Sequence, residues 1–176
     1  MAHLILTLIG EDRPGLVQSV AEVVSAHAGN WERSQLAHLA GQFAGLVEVG
    51  VDNDQADDLV AALRGLEGLE VTLRTGRATE APPPARRIVL DLVGNDRLGI
   101  VADVTSALAA RGANIERLET TTEEAPMAGG SIFRARVEAS VVDRAELADL
   151  TQALEDLAGE LMVDLEVTDA DPDSLL

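Results

Sequence analysis

The chain has 176 residues, a formal net charge of −18, 47% hydrophobic residues and only 2% aromatic residues. That charge repels a phosphate backbone, and Arg86-Arg87 is its only adjacent basic pair, which argues against direct nucleic-acid binding. No cysteine is present, so disulfides, thiolate catalysis and cysteine-ligated metal are excluded. No apolar run approaches the roughly 18 residues of a membrane span, and Met1-Ala2-His3-Leu4 lacks a charged export start, so a soluble, cytoplasmic chain without membrane contact is expected.

His3 to Ile9 alternates, with Leu4, Leu6 and Leu8 on one side and Ile5, Thr7 and Ile9 on the other, the period of a strand. The turn Gly10-Glu11-Asp12-Arg13-Pro14-Gly15-Leu16-Val17 then opens a helix whose apolar face is Leu16, Val20, Val23, Val24 and His27. Gly29 is placed for a left-handed cap. Trp31 to His38 predicts a second strand, Ala40-Gly41-Gln42 a hairpin turn, and Phe43, Val47, Val49 and Val51 one face of a third strand. Asp52-Asn53-Asp54 reads as an N-cap cluster for a helix striped by Leu59, Leu63 and Leu66. Gly68 ends that helix, and Leu69, Val71 and Leu73 mark a fourth strand.

From Gly76 to Ala85 the periodicity stops, and Pro82-Pro83-Pro84 predicts a semi-rigid linker. The order then repeats. Gly94-Asn95-Asp96-Arg97-Leu98-Gly99-Ile100-Val101 restates the first turn eighty-four positions later, and Ala113-Asn114-Ile115-Glu116-Arg117 restates Gly29-Asn30-Trp31-Glu32-Arg33. Phe133, Val137 and Val141 match Phe43, Val47 and Val51 at an offset of ninety, which places an insertion in the loop Glu123 to Gly130. Leu147, Leu150, Leu154 and Leu157 stripe the last helix, and Leu161, Val163 and Leu165 the last strand. The expected divisions are a first domain over 1–76, a linker over 77–85, a second domain over 86–168 and an acidic tail over 169–176.

A duplicated βαββαβ order predicts an α+β protein of two tandem ferredoxin-like domains, each a four-stranded antiparallel sheet with two helices on one face. The helix-free face carries Ile5, Ile9, Val89 and Val93, which predicts contact with another protein surface, between the domains or in a homodimer. Arg134, Arg136 and Glu138 on the second copy's third strand limit that contact to part of the face.

The repeated turn has a specific chemistry. Pro14 is expected at the first helical position, where its missing N–H is harmless, and Gly15 where something must approach the backbone. Free N–H groups at the helix start favour a small carboxylate, and Asp12 and Asp96 either cap those donors or face an ammonium group. Asn30 and Asn114 are expected beside the turn, so each copy offers carboxylate donors next to polar groups for an amine. The bland alternative is that Asp and Gly here only start a helix.

The turn, the Gly-Ala-Asn-Ile-like element after it and the βαββαβ order together resemble the ACT domain, over about Leu4 to Thr168. Two copies, with Pro126-Met127-Ala128-Gly129 in the second, resemble the glycine cleavage system transcriptional repressor-like group. The resemblance implies a non-catalytic regulator that binds a small amino acid, glycine or serine-like, near the strand-to-helix turn. It implies action through a protein partner such as a transcription factor. The residues carried over are Asp12, Arg13, Pro14, Gly15, Leu16 and Asn30, with Asp96, Arg97, Leu98, Gly99, Ile100 and Asn114. Leu98 replaces Pro14, so the first site is expected to be the better formed.

No cofactor, metal site or catalytic group is predicted. His3, His27 and His38 are replaced in the second copy by Arg87, Arg111 and Thr122, and His27 and Arg111 each suit a helix C-terminus. No Gly-x-Ser-x-Gly elbow occurs. A structural adaptor without a metabolite is the alternative function.

Overall fold

The computed structural model describes residues 2–76, 86–124, 130–142 and 144–170. The Pro82-Pro83-Pro84 linker, the Pro126-Met127-Ala128-Gly129 stretch and residues 171–176 lie outside the described residues. Contacts divide the chain into two compact units, Met1–Glu80 and Ala81–Leu176.

The first unit runs β1 (Ala2–Glu11), α1 (Leu16–Ala26), β2 (Asn30–Leu39), β3 (Gln42–Val51), α2 (Ala56–Arg64) and β4 (Leu69–Thr75). The second runs β5 (Arg86–Asn95), α3 (Ile100–Ala109), β6 (Asn114–Glu124), β7 (Ser131–Val141), α4 (Arg144–Leu161) and β8 (Val163–Ala170). The sheet orders are β2-β3-β1-β4 and β6-β7-β5-β8, with every neighbouring pair antiparallel. Each unit is therefore the expected four-stranded ferredoxin-like sheet with two helices.

Strand alternation divides each sheet into two faces. Leu4, Leu6 and Leu8 of β1 are buried with Val47 and Val49 of β3, Leu16, Val20 and Val24 of α1, and Leu59 and Leu63 of α2. The second core repeats this with Ile88, Leu90 and Leu92 against Val104, Leu108, Leu150 and Leu154. A fully buried aliphatic side chain stabilises by about 1.5–3 kcal/mol, so these aliphatic stripes supply most of each core, with one buried phenylalanine apiece, Phe43 and Phe133. Trp31, at the start of edge strand β2, is half-buried and packs on the first core.

On the opposite, helix-free face, Val89 is buried at 8% exposure and Ile5 and Val93 are half-buried, while Ile9 is 46% exposed. Here the two sheets differ. The second carries Arg136 on both Asp91 carboxylate oxygens at 2.9 Å, and Arg117 on Glu119 at 2.6 Å. That hydrogen bond raises the Arg117 pKa further above its ordinary value. The first sheet mixes Ile5, Ile9 and Leu46 with the Arg33–Glu48 pair at 2.8 Å.

Several local expectations are corrected by the geometry. The left-handed residue after α1 is Ala28 (φ 54), not Gly29, and the matching residue after α3 is Gly112 (φ 67). The N-cap of α2 is Gln55, without a side-chain cap bond, rather than the Asp52-Asn53-Asp54 cluster. Leu161 ends α4, and β8 extends through Ala170, opposite Arg87.

Candidate functional site

Two glycines shape each turn, for opposite reasons. A Cβ on Gly10 would lie 2.3 Å from the Gly68 carbonyl oxygen, and one on Gly94 would lie 2.2 Å from Val163 Cγ1. The end of the first strand therefore passes against the start of the last one only where no side chain exists. Gly15 and Gly99 have open space instead: nothing lies within 4 Å of a Cβ there. Their backbones set the requirement, with φ, ψ of 92°, −3° and 92°, −6°. Those are the values of the third residue of a type II turn, where glycine is favoured and proline commonly precedes it.

This corrects two expectations. Pro14 lies before the N-cap Gly15 rather than at the first helical position, Leu16. Leu98 supports the same turn without proline, since Gly99 matches Gly15 within a few degrees, so the first site is not the better formed in backbone geometry. Leu98 itself is 97% exposed.

Asp12 and Asp96 do not cap the helices. The N-cap position is glycine in both, which has no side chain to cap with, and among the described residues no side chain accepts from the amides of the first helical turns. The Asp12 amide donates to the Gly41 carbonyl at 2.9 Å, and its carboxylate lies 3.6 Å from His38 Nε2. The Asp96 amide donates to the Ser131 carbonyl at 2.8 Å. Each turn is thus tied to its neighbouring hairpin end, at Ala40-Gly41 (φ 51 and 79) in the first unit. The first backbone bonds inside the helices run from Ser19 to Gly15 and from Asp103 to Gly99, both 2.9 Å. The amides of Leu16 to Gln18, and of Ile100 to Ala102, precede those bonds and are the orphan donors of each helix start. Leu16 and Ile100 turn their side chains inward, at 4% and 2% exposure, while the turn residues before them are exposed.

The arginines go separate ways. Arg13 donates to the Glu67 carbonyl at 2.7 Å and lies over Gly68. Arg97 pairs with Asp103 of α3 and donates to the Leu98 carbonyl at 3.2 Å. Behind the second turn, a cavity of only about 10 Å³ is lined by Ile100, Val101, Val104, Leu118 and Phe133 among others.

Asn30 and Asn114 are not beside the turns of their own units. Asn30 stands opposite Gly50, which pairs on its other side with His3, at the start of β1, whereas the turn follows Glu11 at its end. Asn114 likewise stands opposite Ser140, which pairs with Arg87. Eight residues of strand, ~27 Å, separate Asn30 from the turn, so the amine-holding role expected of these asparagines within one unit has no geometric basis. His27 Nδ1 contacts the Val23 carbonyl at 2.8 Å, and Arg111 reaches the corresponding Ala107 carbonyl at 3.3 Å, as expected for groups closing a helix end.

Two ACT domain matches cover the chain, over residues 2–75 and 88–159. The chain belongs to the ACT domain family. It is similar to the glycine cleavage system transcriptional repressor of Escherichia coli K12, 25% identical over 163 residues, covering 90% of this chain and 85% of the relative. Among solved structures, an unknown protein from Galdieria sulphuraria is 30% identical with a TM-score of 0.87, covering 97% of this chain and 99% of that one. A putative glycine cleavage system transcriptional repressor has the same fold, with a TM-score of 0.73 at 20% identity, covering 97% of this chain and 98% of that one. Among the described residues of this tandem ACT protein, no helix is long and apolar enough to cross a membrane.

Proposed function

We propose that this tandem ACT protein is a non-catalytic, cytoplasmic regulator that binds a small amino acid, glycine or serine-like, at its strand-to-helix turns. It acts through a protein partner, in the control of transcription in amino-acid metabolism. The observation that carries the reading is the pair of matching turns. Each holds a left-handed glycine immediately before a helix whose first amides have no side-chain cap. An α-carboxylate satisfies such donors and meets the positive end of the helix dipole. Asp12 and Asp96 do not cap the helices and can face an ammonium group, which at Asp12 would share the carboxylate with His38, 3.6 Å away. The resemblance to the glycine cleavage repressor supports the regulatory part of the reading.

The test is a thermal-shift screen of the full chain against the amino acids. A ligand at a hundredfold excess over Kd stabilises by about 2.7 kcal/mol, a rise on the order of 10 °C for a unit of this size. Gly15→Asn and Gly99→Asn retain the left-handed backbone, which asparagine tolerates, and place an amide side chain over the helix start. Each is expected to abolish binding at its own turn while the unliganded transition persists. A shift unchanged in the double variant places the site elsewhere, and no shift with any amino acid favours the structural adaptor.

A further inference from the structure

At the other end of the first sheet, on the helix-free face, three side chains from three strands converge. His3 Nδ1 of β1 lies 3.3 Å from Glu32 Oε2 of β2 and 3.9 Å from Glu48 Oε1 of β3. The three donor atoms lie within 4.8 Å of one another, and the side chains are only 35%, 27% and 20% exposed. Each is held in place by the backbone. His3 is fixed on both flanks, opposite Gly50 in the ladder and by its carbonyl accepting the Gly76 amide at 2.7 Å. Glu32 is the extra residue of a bulge, where the register steps from Trp31 to Arg33. Its carboxylate rests on Gly50, where a Cβ would stand 2.5 Å from Glu32 Oε1. Arg33 bonds Glu48 Oε2 at 2.8 Å, which leaves Oε1 turned toward His3.

The second unit fills the same ladder positions differently. The counterparts of His3, Glu32, Glu48 and Gly50 are Arg87, Glu116, Glu138 and Ser140, placed by the same ladder positions. There Arg87 Nε lies 3.4 Å from Glu116 Oε2, so a permanent cation occupies the position. In the first unit an imidazole takes that cation's place, and Gly50 leaves the space that the bulged Glu32 carboxylate fills. Arg33 balances one of the two carboxylates, and His3 Nδ1, Glu32 Oε2 and Glu48 Oε1 are turned toward one another.

We propose that His3 Nδ1, Glu32 and Glu48 Oε1 bind one divalent transition-metal cation of the zinc class, with water completing its coordination. Ligands at the ~2.0–2.2 Å of zinc sites stand roughly 3.4 Å apart in a tetrahedron, against 3.3 and 3.9 Å from His3 to the two carboxylates, so Glu48 has to draw in by about half an ångström. One imidazole nitrogen with two carboxylate oxygens suits zinc, nickel or cobalt better than calcium or magnesium, which take oxygen donors. The Arg33 contact acts as an outer-shell partner orienting Glu48.

Titration of the full-length protein with Zn²⁺ by calorimetry tests this. One tight site per chain is expected, with Co²⁺ giving a four-coordinate absorption spectrum and millimolar Ca²⁺ or Mg²⁺ failing to compete. His3→Arg copies the second unit's arrangement and so is compatible with the fold. It and Glu32→Gln should each weaken zinc at least about tenfold, the smaller end of what even outer-shell changes cost. His38→Asn, which removes the other histidine–carboxylate pair, should leave the affinity unchanged. Absence of a tight site, equal competition by Ca²⁺, or zinc affinity unaltered by His3→Arg overturns the proposal, the last two by assigning the metal to the general acidic surface.

Discussion

Gly10 and Gly15 are five residues apart, and the sequence alone does not say that they serve different needs. Gly10 lacks a side chain because the backbone at Gly68 occupies the space, while Gly15 lacks one because its φ of 92° disfavours L side chains. Gly10→Ala is therefore expected to cost roughly 2–3 kcal/mol through overpacking against backbone that cannot rotate away. Gly15→Ala should cost about 1–2 kcal/mol, from the left-handed conformation alone. Asparagine distinguishes the causes: Gly15→Asn should be milder than Gly15→Ala, and Gly10→Asn worse than Gly10→Ala. Urea midpoints at constant m-value report all four. Equal costs at the two positions would mean that one mechanism serves both.

Among the elements, the first strand shows how much of this fold can be read directly. Leu8 is 1% exposed and its neighbour Ile9 is 46% exposed, as period-two alternation requires. Leu8→Ala should cost about 2–5 kcal/mol and Ile9→Ala at most about 1 kcal/mol in equilibrium unfolding of the free chain, and similar losses would place both faces in contact with protein. Element order, both cores and the duplicated turn were legible because aliphatic periodicity and repetition encode them. Register across strands was not. Asn30 follows α1 closely in sequence, yet β2 runs parallel to β1, so its first residue returns to the start of β1 rather than to the turn. The bulge at Glu32 was equally hidden, and with it the approach of Glu32 to His3, since neither residue departs from ordinary strand patterning. The paths of Arg13 and Arg97 depended on distant changes: Asp103 stands where α1 has Ser19, and Met162 stands where the first unit has Gly68.

For the whole molecule, charge is the dominant long-range property. A net −18 with a pI near 4.3 sets a repulsive field around the protein at neutral pH. The isolated protein is expected to show no sequence-selective DNA affinity at physiological salt, so any influence on transcription requires a partner to make the DNA contact. A gel-shift assay across a salt series checks this, and a sequence-specific band that weakens with salt would contradict it. The placement of Trp31 has a separate consequence for solution work. The sole indole of the chain packs on the first core, and the second unit contains neither tryptophan nor tyrosine. Intrinsic fluorescence therefore monitors one ACT domain while circular dichroism monitors both. Disagreement between the two signals during denaturation would be a direct readout of the duplicated domains melting independently, obtained without attaching any dye.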